Sequence, residues 1–283
     1  MARVQPEQQA PVVQRVRIRY AKRGPLRFTS HRDFARALER AVRRAKLPVA
    51  YSSGFHPHPR ISYTSAAPTG VASEAEYAEI ALQRRVDPAS LVTDLDAALP
   101  PGLDILEAVE SSGGSLDERL TVSRWRLELP GVTDAQATAA IEAFRSAAEV
   151  PVQRMTKKGY RTIDSRQPVL RLALHSDESG ALAAPHAADT DSCAILDLVV
   201  QHVTPSVRPD DVLAGLRVAA GLEPPVPPRV TRLAQGMVAE HGEGSTPSIA
   251  GTESAATGAG FALSAARRIA DPLGPDRGTV VTE

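Results

Sequence analysis

Two histidines within residues 51–60 carry the side chains best suited to chemistry near neutral pH. His56 and His58 each precede a proline, which favours an extended backbone at both positions. Gly54 permits a turn just before them, so we predict a stiff loop that presents both imidazoles. Because histidine titrates near neutrality, these two side chains and His31 are candidates for general acid and base in metal-independent RNA cleavage.

Two other uses of this loop remain open. A metal site has little support, because His31 is the one further histidine in the first half of the chain and no two histidines have helical spacing. We therefore expect no metal ligands. Contact of His56, His58 and Arg60 with phosphate or with a protein partner is the remaining interpretation. The sequence contains no nucleophile elbow, phosphate-binding loop, deaminase signature or dinucleotide fingerprint.

A basic helix is predicted before this loop. Ser30 followed by Asp33 is typical of a helix start, and residues 30–46 have helical periodicity. The apolar stripe that should face the core contains Phe34, Leu38, Ala41 and Ala45. The opposite side contains Arg32, Arg36, Arg40, Arg43 and Lys46, with Arg44 beside it. Such a face either keeps the helix soluble or binds a polyanion.

Two further cationic stretches are candidates for contact with nucleic acid. Arg17 and Arg19 alternate with apolar residues in a predicted strand, so they should project from the sheet face that lacks helices. Residues 157–161 predict a flexible basic turn in which Tyr160 could stack on a base. The predicted nucleic-acid contacts are Arg17, Arg19, Arg32, Arg36, Arg40, Arg43, His56, His58, Arg60, Lys157, Lys158 and Arg161.

The charge is unevenly distributed along the chain. Residues 1–60 contain 14 Lys or Arg and 3 acids, and residues 61–118 contain 11 acids and 2 arginines, although the formal net charge of the whole chain is +0. This asymmetry indicates a confined cationic surface. Glu74 and Glu76 in the acidic stretch are expected to form salt bridges with arginines rather than a catalytic carboxylate pair.

The composition excludes several classes of protein. Cys193 is the only cysteine, which excludes a disulfide framework, a thiolate zinc site and an iron–sulfur cluster held by this chain's own cysteines. It also favours a reducing, cytoplasmic setting. No apolar run approaches the roughly eighteen residues of a membrane helix, so we expect no membrane contact. Aromatic residues amount to 4%, which argues against a sheet that stacks several bases.

The periodicity predicts an α+β fold in which one order of elements occurs twice. The order βαββαβ fits residues 14–118 and again residues 119–238, which predicts two tandem ferredoxin-like domains. Residues 1–13 and 239–283 lack periodicity and are expected to be disordered tails.

Four segments resemble the radical-SAM-linked protein family of bacteria, namely residues 27–33 (RFTSHRD), 40–45 (RAVRRA), 54–59 (GFHPHP) and 73–77 (SEAEY). The resemblance implies a partner, a cobalamin-binding radical SAM protein encoded beside such proteins or fused to them. Arg32, His56 and His58 differ from the residues that the resemblance leads us to expect. Because a radical SAM enzyme needs three thiolates for its cluster, a chain with only Cys193 would be an accessory subunit and not the radical enzyme.

Three functions follow as hypotheses. The first is a non-catalytic RNA-binding accessory protein that presents structured RNA, such as tRNA or rRNA, to the radical SAM partner. The second is a protein-interaction module that docks on the radical SAM enzyme and contacts no RNA. The third is a metal-independent ribonuclease that uses His31, His56 or His58 and is similar in topology to CRISPR RNA-processing endonucleases. None of the three requires a cofactor bound by this chain.

Overall fold

The computed structural model describes an α+β fold with mostly antiparallel strands and five α-helices. The described residues are 9–157, 159–175, 192–238 and 269–277. They divide into two compact units, of which the first contains 9–120, 229–235 and 271–277 and the second contains the other described residues. The predicted α+β class is confirmed. No helix among the described residues has the length and apolar character that a membrane crossing requires.

The first unit begins with strands and helices in the order βαββαβ. Its elements are β1 (Gln14–Lys22), α1 (His31–Arg44), β2 (Ile61–Tyr63), β3 (Ala72–Leu82), α2 (Pro88–Ala98) and β4 (Ile105–Glu110). Strand β1 lies between β3 and β4 and is antiparallel to both. Strand β2 is antiparallel to β3.

The second unit contains an additional hairpin. Its elements are β5 (Val122–Pro130), α3 (Asp134–Ser146), β6 (Pro151–Thr156), β7 (Gly159–Asp164), β8 (Val169–Leu174), β9 (Cys193–Gln201) and α4 (Pro209–Ala220). Strand β9 lies between β5 and β8 and is antiparallel to both. Strands β6 and β7 form a separate two-stranded sheet. The predicted basic turn is therefore shorter than expected, with Lys157 in the turn, Tyr160 and Arg161 in β7, and Lys158 outside the described residues.

The remaining elements are β10 (Arg229–Val238), β11 (Ile269–Ala270) and α5 (Gly274–Arg277). In the first unit, β10 is parallel to β3 at Thr231 and Arg232. In the second unit, the end of β10 is antiparallel to β11.

The apolar stripe of α1 packs in the core of the first unit. Phe34, Leu38 and Ala41 are buried, as the helical periodicity predicts, and Ala45 is partly buried. The hydroxyl of Ser30 accepts a hydrogen bond from the backbone amide of Asp33 at 3.2 Å. This bond satisfies a donor that the first turn would otherwise leave free, so the predicted helix start is confirmed.

Arg17 does not project into solvent as predicted. Its side chain is 0% exposed, Nε donates to Glu79 at 3.0 Å, and Nη1 donates to Asp276 at 2.9 Å. Its Nη2 donates to the backbone carbonyls of Gly113 and Gly114. These pairings correct the prediction, because the chain's own carboxylates neutralise Arg17 and it is not available to a nucleic acid.

Residues 269–277 depart from the prediction of a disordered C-terminal tail. Leu273 is buried in a cluster with Tyr77 and Val109. The carboxylate of Asp276 accepts hydrogen bonds from Arg17 and from the backbone amide of Ser112, the latter at 2.9 Å. Burial alone would raise the pKa of Asp276, but the hydrogen bonds from Ser112 and Arg17 outweigh it and hold the pKa below its usual value. An apolar anchor and a buried ion pair therefore hold residues 271–277 in the first unit.

Replacing Asp276 with Asn should lower the free energy of unfolding by about 3 kcal/mol, because Arg17 and Arg119 would lose the carboxylate that they share. Urea unfolding followed by circular dichroism measures this loss. Glu223→Gln is the control, since it breaks an exposed pair with Arg217 and should change the stability by less than about 1 kcal/mol. Equal stability of the two variants would contradict the role given to Asp276.

Three tyrosines of the first unit should ionise only as the unit unfolds. Burial raises the pKa of Tyr20, Tyr63 and Tyr77 above the ordinary value of 10.0. Since the folded state keeps protons that the unfolded chain releases, their contribution to stability is complete below about pH 10 and is lost at higher pH. In an alkaline titration, the tyrosinate absorbance of these residues should rise together with the loss of the circular dichroism signal. Their ionisation in an otherwise intact fold would be the opposite result.

Candidate nucleic-acid interface

The outer side of α1 carries the arginines that the sequence predicts there. Arg32, Arg36, Arg40 and Arg43 are all exposed. Among the described residues, the one ion pair on this face joins the exposed Arg43 to the partly exposed Glu39 at 3.8 Å. An exposed pair of this kind contributes little free energy. The positive charge of this face is therefore available to a partner.

Aromatic contacts beneath α1 fix the position of the helix. The ring of Phe34 stacks on Tyr20 with the centroids 4.0 Å apart and an interplanar angle of 6°. Phe34 also meets Tyr63 edge-on at 6.1 Å, and His31 meets the same tyrosine edge-on at 5.3 Å. The first turn of the helix is therefore anchored through two aromatic side chains of the sheet.

The loop of residues 51–60 is closed at its base, as a presented loop requires. The amide of Ser52 donates to the carbonyl of His58 at 2.9 Å, and the hydroxyl of Ser52 accepts from the amide of His58 at 3.2 Å. The same hydroxyl lies 2.8 Å from Nδ1 of His58. The side chains of His56, His58 and Arg60 are exposed, as is that of Phe55 at 65%. The loop therefore displays two imidazoles, a guanidinium and a phenyl ring.

The candidate histidines make separate contacts. His31 contacts Tyr63, His58 contacts Ser52, and no contact joins His31 to either loop histidine in the part of the chain that the structure describes. Within the same residues, no group of three or more His, Cys, Asp or Glu side chains is placed to hold a metal. The ribonuclease hypothesis stays a prediction, because a general acid and a general base lie on either side of the substrate and need not contact each other.

A buried charged cluster holds the segment before β3. The carboxylate of Glu76 accepts hydrogen bonds from Nε of Arg232 at 3.1 Å and from the amide of Ala67 at 3.0 Å. Nζ of Lys22 donates to the carbonyls of Ala67 and Pro68, both at 3.2 Å. Burial lowers the pKa of Lys22. The segment is therefore tied from both sides to the strands below it.

Sequence reasoning missed Lys22 and Arg232, because no local pattern marks a cation that ends in the core. The sequence did indicate their acidic neighbours, since Glu74 and Glu76 were predicted to form salt bridges with arginines. Glu74 pairs with Arg23 and Glu76 pairs with Arg232, so the predicted salt bridges of these two carboxylates are confirmed.

The hairpin of β6 and β7 is anchored at one end and exposed at the other. Val152 and Ile163 face each other in the pairing and are both buried. Nη1 of Arg154 donates to Asp211 of α4 at 2.9 Å. Toward the turn, Met155 and Tyr160 are directly paired and are 61% and 72% exposed. Lys157 and Arg161 are also exposed. The outer part of the hairpin thus combines an aromatic ring with two cations.

Other strand arginines form ion pairs or lie partly buried. Arg15 pairs with Glu79 at 2.8 Å, and Arg124 pairs with Asp197 at 2.7 Å. Arg19 is partly buried, and its Nε has no hydrogen-bond partner among the described residues. The chain's own carboxylates therefore take up much of the positive charge of these strands.

One family model matches the chain. It is described as "Uncharacterized protein conserved in bacteria (DUF2344)" and matches residues 15–209, which contain α1, the loop, the hairpin, Lys22 and Glu76. No curated protein matches the chain. The family description names no partner, so the link to a radical SAM protein stays a prediction. Because the match spans more than half of the chain, the protein belongs to this bacterial family, DUF2344.

Proposed function

We propose that the protein is a non-catalytic RNA-binding accessory protein that presents structured RNA, such as tRNA or rRNA, to a radical SAM partner. The observation that carries the proposal is the exposed row of arginines on α1, whose charges the described residues leave almost unpaired. The single cysteine, Cys193, is consistent with a reducing cytoplasm and leaves the cluster chemistry to the partner.

The geometry of α1 suits the phosphate backbone of a nucleic acid. Arg32 and Arg43 are eleven residues apart, which corresponds to a row of about 16 Å at 1.5 Å per residue. A guanidinium group presents several donors in a plane and can hold a phosphate through two hydrogen bonds. A rigid helix with such a row can therefore contact several phosphates at a small cost in conformational entropy.

Exposed aromatic side chains beside cations favour RNA over an acidic protein surface. Tyr160 stands with Lys157 and Arg161 on the hairpin, and Phe55 stands with His56 on the loop. Stacking of an unpaired base on an aromatic ring adds affinity that a carboxylate-rich protein surface would not supply. Structured RNA offers such bases in its loops and bulges.

We infer a radical SAM partner from the resemblance of four segments to the radical-SAM-linked family. Two of them, residues 27–33 and 40–45, contain or flank the exposed arginines of α1. A third, residues 54–59, forms the displayed loop. Three of the four segments therefore lie at the surface to which we assign binding, and the fourth, residues 73–77, is largely buried in β3.

We also propose that the two units are copies of one ferredoxin-like domain. The first unit has the pairing order β4-β1-β3 with β2 beside β3, and the second has β5-β9-β8 with α3 and α4 in corresponding places of the chain order. In this alignment β5 corresponds to β1 and β9 corresponds to β3. The hairpin of β6 and β7 is then an insertion after α3.

Replacing Arg36, Arg40 and Arg43 with Glu should lower the affinity for a stem–loop RNA by at least about 100-fold, because three phosphate contacts become repulsive. Fluorescence anisotropy at fixed salt measures the affinity. The control replaces Arg84, Arg85 and Arg217 with Glu, which changes the net charge equally but leaves α1 intact.

The control should bind RNA within a few-fold of the original protein. Unchanged affinity of the α1 variant would exclude this surface. If the original protein bound no RNA while capture of the radical SAM protein survived nuclease treatment, the protein-interaction alternative would replace the proposal.

Replacing Tyr160 with Ala should lower the affinity for a stem–loop RNA by about tenfold, since one stacked base is worth roughly 1–3 kcal/mol. The affinity for a blunt RNA duplex, which has no unpaired base, should be unchanged. Tyr160→Phe keeps the ring and should bind as the original protein does. Equal loss of affinity for both RNAs would show that the hairpin does not stack on a base.

A further inference from the structure

One face of the sheet in the second unit carries more arginines than its carboxylates can neutralise. Arg124 and Arg126 lie on the same face of β5, and Asp197 of β9 is directly opposite Arg126 in the register. Asp197 is occupied by two other arginines. Its Oδ1 accepts from Nε of Arg124 at 2.7 Å, and its Oδ2 lies 3.2 Å from Nε of Arg171 on β8. The carboxylate that faces Arg126 therefore pairs with Arg124 and Arg171 instead.

Among the described residues, none provides an anion to Arg126. Its Nη2 has a 3.4 Å contact with Nε2 of His175, and its Nε is buried with no hydrogen-bond partner in the same part of the chain. No carboxylate in the described part of the chain lies within ion-pair distance of its guanidinium. Glu128 comes next on the same face of β5. This face therefore carries three arginines and two acids, Asp197 and Glu128, which leaves an excess of one positive charge. A partly buried guanidinium in this state gains free energy from an incoming oxyanion.

The first unit contains a corresponding arginine that does have its anion. Arg17 of β1 is directly opposite Glu79 of β3, as Arg126 is opposite Asp197. Both oxygens of Asp276 accept from Nη1 of Arg17, at 2.9 and 3.1 Å. The carboxylate of Asp276 therefore neutralises Arg17 in the first unit. No described residue supplies a corresponding carboxylate to Arg126 in the second unit.

We propose that Arg126 is the centre of a phosphate-binding site on this face of the second unit. Its free nitrogens donate to phosphate oxygens, and the phosphate takes the role that the carboxylate of Asp276 has at Arg17. Arg124 and Arg171 supply positive charge beside it, and His175 is within reach of the same group. The phosphate is either a backbone group of the RNA, in which case this inference deepens the proposed function, or a free phosphate.

Thermal unfolding in inorganic phosphate tests the site with the full-length protein. At about ten times the dissociation constant, phosphate should raise the Tm by about 3–5 °C relative to sodium chloride of equal ionic strength. Arg126→Gln should abolish this increase, and Arg126→Lys, which keeps the charge but not the planar fork, should lose most of it. The control Arg217→Gln changes another exposed arginine of the second unit and should respond as the original protein does.

RNA binding by the same variants identifies the source of the phosphate. If the RNA supplies it, Arg126→Gln lowers the affinity by about tenfold and reduces the slope of log affinity against log salt by about 0.7–0.9. If RNA affinity is unchanged while the phosphate effect on Tm is lost, the site takes free phosphate. An Arg126→Gln variant that keeps both the phosphate effect and the RNA affinity overturns the inference. The α1 variant with Glu at positions 36, 40 and 43 should keep the phosphate effect, so the two proposals can fail separately.

Discussion

A fully buried arginine needs a carboxylate beside it, and this requirement distinguishes the buried arginines Arg17 and Arg232 from the exposed arginines of α1. Arg17 meets Glu79 and Asp276 in the interior, and Arg232 meets Glu76. A buried guanidinium without such a partner would cost several kcal/mol. The acidic stretch that follows the basic N-terminal block thus supplies many of the partners that the folded core requires. The arginines of α1, which the sheet does not cover, remain charged in solvent.

Buried contacts also fix the backbone that carries the exposed cations. Lys22 and Glu76 tie down the segment before β3, while Tyr20 and Tyr63 hold the first turn of α1 through their contacts with Phe34 and His31. The surface assigned to RNA is therefore a row of flexible side chains on a fixed backbone. Such an arrangement favours recognition of phosphate spacing and shape over base sequence.

Features that depend on neighbouring residues could be predicted from the sequence. The cap at Ser30, the buried stripe through Phe34 and Leu38, and the displayed loop around His56 and His58 all follow from patterns a few residues long. The placement of Arg17 could not be predicted in this way. Alternation in β1 places it opposite the helices, but the partner that covers it, Asp276, lies 259 residues away.

The position of the hairpin could likewise not be predicted from local sequence patterns. A basic turn around Tyr160 is visible in the sequence, but its anchoring depends on Arg154 reaching Asp211, 57 residues further along the chain. The site at Arg126 has no local signature, because it depends on which of three arginines reaches Asp197. In each case the sequence identifies the charges, and long-range contacts decide which of them stay free.

The salt dependence of RNA binding tests the central claim most directly, since it counts phosphates neutralised by the protein. With contacts from the four arginines Arg32, Arg36, Arg40 and Arg43, a plot of log affinity against log salt concentration should have a slope of about −3 or steeper. A slope near zero would contradict the account, because it would show that the exposed arginines of α1 contact no phosphate.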